Sequence, residues 1–366
     1  MPSPGDHRQR RVLVLALGVV VLIAAGIAGA LIANDVNSPS NATTTTPSPA
    51  AAGSSSCDVT SIADRELPSV VTIFAGGGTD GGVGSGEVIR SDGYVLTNNH
   101  VILPAVGGGP LQVVFTDGSA ATATITGRDP LTDLAVIHVS GKSDLRTISV
   151  GNSSNLRIGQ GVVALGAPLG LSSTVTSGIV SALGRTVHVP GEASMTALLI
   201  DAVQTDAAIN PGNSGGALVN CAGDLIGIPT AGATIPSPSG EASGGSIGLG
   251  FAIPVNLATK VADEIIATGT VTHAFIGIQT EPLPASATGQ SGTQGLRVAA
   301  VVPGGPAASA GLQVGDIITS IDGQAATSTD QLVAVTLTKR AGDRVELGYR
   351  RNGSEATATI TLAARP

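Results

Sequence analysis

A serine stands between glycines in Gly212-Asn213-Ser214-Gly215-Gly216, just after Asn210-Pro211. Acyl transfer by serine needs a nucleophile made reactive by a base, a third group that orients the base, and hydrogen-bond donors for the oxyanion. Glycines on both sides let the backbone turn sharply. They can bring the N–H groups of Gly212 and Ser214, with Asn213 between them, to one spot where a tetrahedral oxygen would sit. By itself the string also fits a glycine turn in a β-protein.

The base must come from five histidines. His7 precedes an apolar N-terminal run. His100 lies in Thr97-Asn98-Asn99-His100-Val101-Ile102, at the end of an expected strand and in a loop position suited to the edge of a site. His138 sits inside a β-branched run and reads as structural. His188, before Pro190, and His273, at an interdomain junction, have no carboxylate pattern beside them and read as solvated. Asp133 immediately precedes the apolar Leu134-Ala135-Val136-Ile137, where a partly buried carboxylate is costly unless paired, and imidazole is a fitting partner. Asp129 is the local alternative, although Asp129-Pro130 reads better as a turn. The order His100, Asp133, Ser214 departs from that of an α/β-hydrolase, in which acid and histidine follow the serine. Strand-like Ala217-Leu218-Val219 after the serine points the same way.

The elements that must position these residues are mostly strands. Short β-branched runs separated by Gly-rich turns recur from Ile62 to about Thr270: 70–74, 87–89, 94–97, 111–115, 121–125, 134–138, 161–165, 174–181, 217–219 and 225–228. They predict a closed or sandwiched all-β architecture. One long helix is expected over Val255 to Ala267, after Pro254 and before Gly269. From His273 a second unit begins, with expected strands at 275–279, 296–301, 316–321, 344–350 and 356–362, and helices at 307–310 and 329–338.

At the N-terminus, Arg8, Arg10 and Arg11 precede an apolar run from Val12 to Ala33. As a helix it would span about 33 Å, enough for a hydrocarbon core of about 30 Å. Arginines ahead of it predict a cytoplasmic segment 1–11, a transmembrane signal-anchor 12–33 and everything later on the extracytoplasmic side of a single-pass cell-membrane protein. A cleaved signal peptide, cut near Ala28-Gly29-Ala30, exports the same domains. Residues 34–56, rich in Ser, Thr and Pro, read as a disordered tether.

Several function classes fall away. A net charge of -8 and the absence of a long Lys/Arg run leave no footprint for nucleic acid. Gly141-Lys142-Ser143 lacks the earlier glycine of a phosphate loop, and no HExxH motif occurs, so neither metal nor other cofactor is expected. Cys57 and Cys221, too few for a disulfide-dense scaffold, are candidates for one bond on the exported side.

The strings Thr97 to Ile102, Asp129 to Val136, Gly178-Ile179-Val180-Ser181-Ala182-Leu183-Gly184-Arg185, Gln204 to Val219 and Gly250-Phe251-Ala252-Ile253-Pro254 resemble the HtrA/Deg trypsin-like serine proteases of the membrane-anchored type with one C-terminal PDZ domain. The resemblance implies two six-stranded β-barrels over 57–270 and an α+β PDZ domain over 271–366, in a likeness that runs from about Ile62 to the C-terminus. His100, Asp133 and Ser214 would be the triad, and Gly212, Asn213 and Ser214 the oxyanion hole. Ala208, Ile209 and Gly232 would line the substrate pocket, favouring small or medium apolar side chains, because Ala208 stands where the trypsin pattern has an acid. Pro229-Thr230-Ala231-Gly232 departs from the larger residues common in relatives. Asn213 replaces the Asp that pairs with a freed N-terminus in digestive enzymes, so zymogen cleavage is not the expected switch. Asp206 would be structural, Leu171 to Arg185 would include part of the second barrel and Thr186 to Ala202 would form a regulatory loop. Phe275, Ile276, Gly277 and Ile278 match a PDZ carboxylate-binding loop, beside which a C-terminal peptide could add a strand. The implied function is proteolysis of unfolded, damaged or membrane-associated regulatory proteins in quality control and stress response, by a homotrimer regulated through its PDZ domain.

Overall fold

Val, Ile and Leu at every second position, interrupted by Gly, turn the middle of the chain into antiparallel strands. The computed structural model describes residues 57–77, 81–167, 173–190, 192, 196–232, 246–283 and 295–365. Helix α1 (Val59–Glu66) is N-capped by Asp58, whose carboxylate accepts the Ser61 N–H at 3.1 Å. Strands β1 (Val70–Ala75), β2 (Gly82–Val88), β3 (Tyr94–Asn98), β4 (Leu111–Val114), β5 (Ala120–Asp129) and β6 (Leu134–Val139) close into a barrel in the order β1-β2-β3-β6-β5-β4. The short helix α2 (Asn99–Ile102) follows β3. Strands β7 (Gly161–Gly166), β8 (Thr174–Pro190), β9 (Thr196–Thr205), β10 (Ala217–Asn220), β11 (Leu225–Gly232) and β12 (Gly250–Pro254) close a second barrel in the order β10-β11-β12-β9-β8-β7.

Alternation along the strands decides what faces what. Val71, Ile73, Val88, Val95 and Ile137 fill the first barrel; Val162, Ala164, Val203, Leu218 and Ile226 fill the second. Their sequence neighbours Val70, Leu96, Leu134, Val163, Leu165 and Val219 point the other way and form one seam core. Helix α3 (Val255–Thr268) joins that core through Val261 and Ile265, and ends at Gly269 with φ 80°, whose N–H reaches Ile265 O at 2.8 Å. Each fully buried Leu or Ile here contributes about 1.5–3 kcal/mol of transfer free energy. The seam is therefore as firmly packed as either barrel interior, and the candidate site lies along it. Cys57, just before α1, is bonded to Cys221 in the turn after β10.

The C-terminal unit contains β13 (Ala274–Phe275), β14 (Ile278–Pro282), β15 (Leu296–Val301), helix α4 (Pro306–Ser309), β16 (Ile317–Ile321), β17 (Gln324–Ala325), helix α5 (Thr329–Thr338), β18 (Arg344–Arg351), β19 (Ser354–Thr361) and β20 (Ala363–Ala364). Its main sheet runs β14-β15-β16-β18-β19, leaving β14 on an edge. Ser328 and Gln331 form a capping box at the start of α5. Leu296, Val298, Ile318, Leu332, Val345 and Ile360 make a separate core. On its other side α5 packs Ala334 and Leu337 against Leu131, Leu198 and Ile200 of the barrels.

The sequence-based fold class needs correcting at its N-terminus. Among the described residues no helix is long and apolar enough to cross a membrane, and the expected signal-anchor 12–33, with segments 1–11 and 34–56, lies outside them. The fold is therefore given without a transmembrane helix, and the membrane-anchored type, the single-pass location and the membrane partnership are set aside. A second correction concerns Thr186 to Ala202, expected as a loop. Much of it is strand: β8 pairs with β9 from Val187↔Leu199 to Pro190↔Thr196.

Candidate active site

Asp133 and His100 meet because β3 and β6 are neighbours. Asn98 pairs with Leu134, so Asn99 after β3's end and Asp133 before β6's start fall side by side, with His100 the next residue along. Asp133 takes the left-handed conformation at φ 57°, a strained one for a residue with a Cβ. Its carbonyl accepts the Asn99 N–H at 3.1 Å and the Asn98 Nδ2 at 2.9 Å, holding the turn in place. Its carboxylate is buried and accepts from His100 twice, from the backbone N–H at 3.0 Å and from Nδ1 at 2.8 Å. A hydrogen bond from Nδ1–H to the carboxylate puts the neutral ring's proton on Nδ1 and leaves the Nε2 lone pair free as a base. The imidazole is 40% exposed, open to the cleft, against 6% for the Asp133 side chain.

Ser214 comes from the second barrel. Asn213 N–H donates to Asn210 O at 3.0 Å across a turn in which Gly212 has φ 97°, a conformation favouring glycine after Pro211. The loop is fastened to the first barrel by Ser85, whose N–H donates to Ser214 O at 2.9 Å and whose Oγ donates to Gly212 O at 2.6 Å. Gly215, at φ 79°, would place a Cβ 2.3 Å from Ser85 O, so only glycine lets the chains approach this closely. Among the described residues the N–H groups of Gly212 and Ser214 have no acceptor, whereas that of Asn213 is engaged by Asn210. Asn213 is thus not a free donor, which leaves the Gly212 and Ser214 N–H groups as the candidate oxyanion donors. Ser214 Oγ donates to Thr230 O at 3.4 Å.

Of the candidate pocket residues, Ile209 and Gly232 both adjoin Gly250 of β12. Ile209 is buried against Gly250, where a Cβ would fall 2.5 Å from it. Gly250 pairs with Gly232 across β11 and β12. Ala208 O accepts Thr176 Oγ1 at 3.0 Å. Asp206 is structural, accepting the Ile179 N–H at 2.7 Å.

A trypsin-like peptidase domain model matches residues 84–228 and a PDZ domain model matches 274–362. The chain is 44% identical over 379 residues to serine protease PepD of Mycobacterium tuberculosis, an alignment covering 99% of this chain and 80% of that protein. It is 41% identical to the periplasmic pH-dependent serine endoprotease DegQ of Escherichia coli, covering 77% of this chain and 58% of the relative. Among solved structures, the HtrA-type protease AlgW with a tripeptide superimposes with TM-score 0.67 at 38% identity, over 84% of this chain and 97% of that one. The chain belongs to the HtrA/Deg family. It is a trypsin-like serine endopeptidase with a C-terminal PDZ domain.

In this HtrA/Deg protease the loop 275–278 turns its carbonyls inward. Ile276 O accepts the Ala307 N–H and Gly277 O the Val302 N–H, both at 2.9 Å, and Gly277 has φ 83°. Among the described residues the N–H groups of Ile276 and Gly277 have no backbone acceptor. They sit at the head of the edge strand β14, as capture of a peptide carboxylate requires.

Local sequence patterns do not reveal the contacts of four residues of the HtrA/Deg chain. Thr230, noted only as a departure from relatives, donates its hydroxyl to Asp133 Oδ2 at 2.5 Å. His273 and Asp129, read as a solvated histidine and a turn residue, are both buried and bonded at 2.9 Å. His188, also read as unpaired, lies 3.4 Å from Asp330 of α5. These partners stand 142 to 144 positions apart in the case of the histidines, beyond any local pattern.

Proposed function

We propose that His100, Asp133 and Ser214 act as base, orienting acid and nucleophile in peptide-bond hydrolysis, with the Gly212 and Ser214 N–H groups holding the oxyanion. The observation that carries this reading is the Nδ1 to Oδ2 bond of 2.8 Å between His100 and a buried Asp133, with Ser214 held beside them through Thr230. His100 Nε2 takes the Ser214 proton as Oγ attacks the carbonyl carbon, then returns it to the leaving amine; water repeats the cycle on the acyl-enzyme. The pocket formed by Ala208, Ile209 and Gly232 has no charged side chain, which favours small or medium apolar residues.

The substrates are unfolded or damaged proteins outside the cytoplasm, and a C-terminal peptide bound at Phe275 to Ile278 controls their cleavage. The Cys57–Cys221 bond and the periplasmic relatives support the compartment. AlgW's tripeptide and decapeptide complexes support peptide binding as a family habit. Residues 57–270 form the protease domain and 271–366 the PDZ domain; the family resemblance favours a homotrimer, which sedimentation equilibrium tests. A serine-directed phosphonate should label the chain and not its Ser214→Ala variant. No Ser214-dependent labelling with casein present would favour a peptide-binding scaffold instead.

A further inference from the structure

We propose that His273 is a positioning residue for catalysis: its bond to Asp129 fastens the loop that delivers Asp133 to the root of the PDZ domain. The proposal rests on the triad reading above. Asp129 ends β5 and is 3% exposed. Its Oδ1 accepts the Leu131 N–H at 3.2 Å and His273 Nε2 at 2.9 Å, and its Oδ2 accepts Thr132 Oγ1 at 2.5 Å. Only Pro130, Leu131 and Thr132 separate it from Asp133. Two of these are gripped by the Asp129 carboxylate, and Leu131 is further held by its carbonyl, which accepts the Leu198 N–H at 3.3 Å, and by contact with α5. The carboxylate is the hub of this short loop, and among the described residues His273 is the carboxylate's hydrogen-bonding partner from the C-terminal unit, alongside the apolar contact of Leu131 with α5.

On its other side His273 is tied to the PDZ domain. Its carbonyl accepts the Arg365 N–H at 2.9 Å, and the next two residues, Ala274 and Phe275, pair with Ala364 and Ala363. Phe275 also opens the carboxylate-binding loop. A shift of that loop is therefore carried to the imidazole through two residues of paired backbone, and from the imidazole to Asp129 through one hydrogen bond. A displacement of about 1 Å in a catalytic group can cost on the order of a hundredfold in rate. The pair is thus placed to set kcat without touching substrate.

Full-length variants test this with kcat and KM on a peptide substrate. His273→Leu removes the donor, and kcat should fall about tenfold or more with KM within about twofold. His273→Gln keeps an N–H near the Nε2 position and should recover kcat to within about threefold of the parent. In an Asp129→Asn background, adding His273→Leu should cost little more, because the two act through one contact. A chain ending at Leu362, which lacks β20 and Arg365, should lose kcat like His273→Leu. Parental kcat in folded His273→Leu, equal losses in the Leu and Gln variants, or additive losses with Asp129→Asn would overturn the proposal; parental kcat in the shortened chain would overturn the PDZ tie. Should His273→Leu not fold, Asp129→Asn must lower kcat alone while His273→Gln does not. Ser214-dependent phosphonate labelling of the parent separates the two readings: its absence sinks the triad, whereas its presence with unaffected variants sinks only the role of His273.

Discussion

Thr230 touches two members of the candidate triad at once, donating its hydroxyl to Asp133 Oδ2 at 2.5 Å and accepting the Ser214 hydroxyl on its carbonyl at 3.4 Å. Oδ2 is also the oxygen that His100 Nδ1 reaches, so the Thr230 hydroxyl fixes the rotation of the carboxylate. A hydrogen bond to a buried charged group is worth about 1.5–3 kcal/mol. Thr230→Val, which keeps the shape and removes the hydroxyl, should lower kcat roughly ten- to a hundredfold with KM little changed. Thr230→Ser should retain most of the activity. Steady-state kinetics on one peptide substrate would decide it, and equal losses in both variants would count against a role for the hydroxyl.

Glu87 in β2 is fully buried in the first-barrel wall, and neither carboxylate oxygen has a partner among the described residues. Burial pushes its carboxyl well above the ordinary glutamate value, against a smaller opposing pull from its own backbone N–H. The folded protein therefore favours the neutral acid over a higher pH range than the unfolded chain does. The unfolded chain ionises above about pH 4.3, so stability is greatest below that pH and declines as pH rises toward the folded-state value. Glu87→Leu removes both the orphaned oxygens and this decline. It should stabilise the protein by about 1–3 kcal/mol at pH 8, and the advantage should shrink as pH falls toward 5. Calorimetric melts across that range are the measurement, and an advantage independent of pH would refute the assignment.

Much of the site was legible because its parts lie in short strings. Asp133 before Leu134 and Ser214 among its glycines advertise themselves locally, and the strand ends around them follow from period-two alternation. What stayed hidden depends on contacts across the fold. Thr230 reaches Asp133 over 97 positions and His273 reaches Asp129 over 144, and no local window contains both partners. The strand character of the segment Thr186 to Ala202, expected as a loop, was hidden for a different reason. Its Leu198, Leu199 and Ile200 are all buried, so the run lacks the alternation expected of a half-exposed strand. Asn213 shows the limit of composition: its side of the loop was clear, but which amide faces out depended on the turn closed by Asn210.

Gly277 has φ 83°, and a Cβ there would meet the Phe275 ring at 3.3 Å and Pro306 Cδ at 3.4 Å. A β-branched residue is strained in that conformation before any contact is counted. Gly277→Val should tilt the loop and weaken binding of a C-terminal peptide at least tenfold by calorimetric titration, while Ser214-dependent phosphonate labelling in the absence of peptide persists. Unchanged affinity would remove this loop from the peptide site.

The bond between Cys57 and Cys221 closes a loop of 164 positions, joining the start of α1 to the turn after β10. Arg65 reinforces the same junction, donating from Nη2 to Ala222 O at 2.5 Å and from Nε to Glu66 at 2.6 Å. Closing so long a loop restricts the unfolded chain far more than the folded one, and removing such a bond costs about 2–5 kcal/mol. The double variant Cys57→Ser/Cys221→Ser should therefore unfold at lower urea with an altered slope. Its kcat at 25 °C should stay near the parental value, because among the described residues no hydrogen bond joins either cysteine to Ser214, Asp133 or His100. Reductant should reproduce the shift in the parent and leave the variant unmoved. A parental urea midpoint in the variant would show that α1 is held by its packing and Arg65 alone.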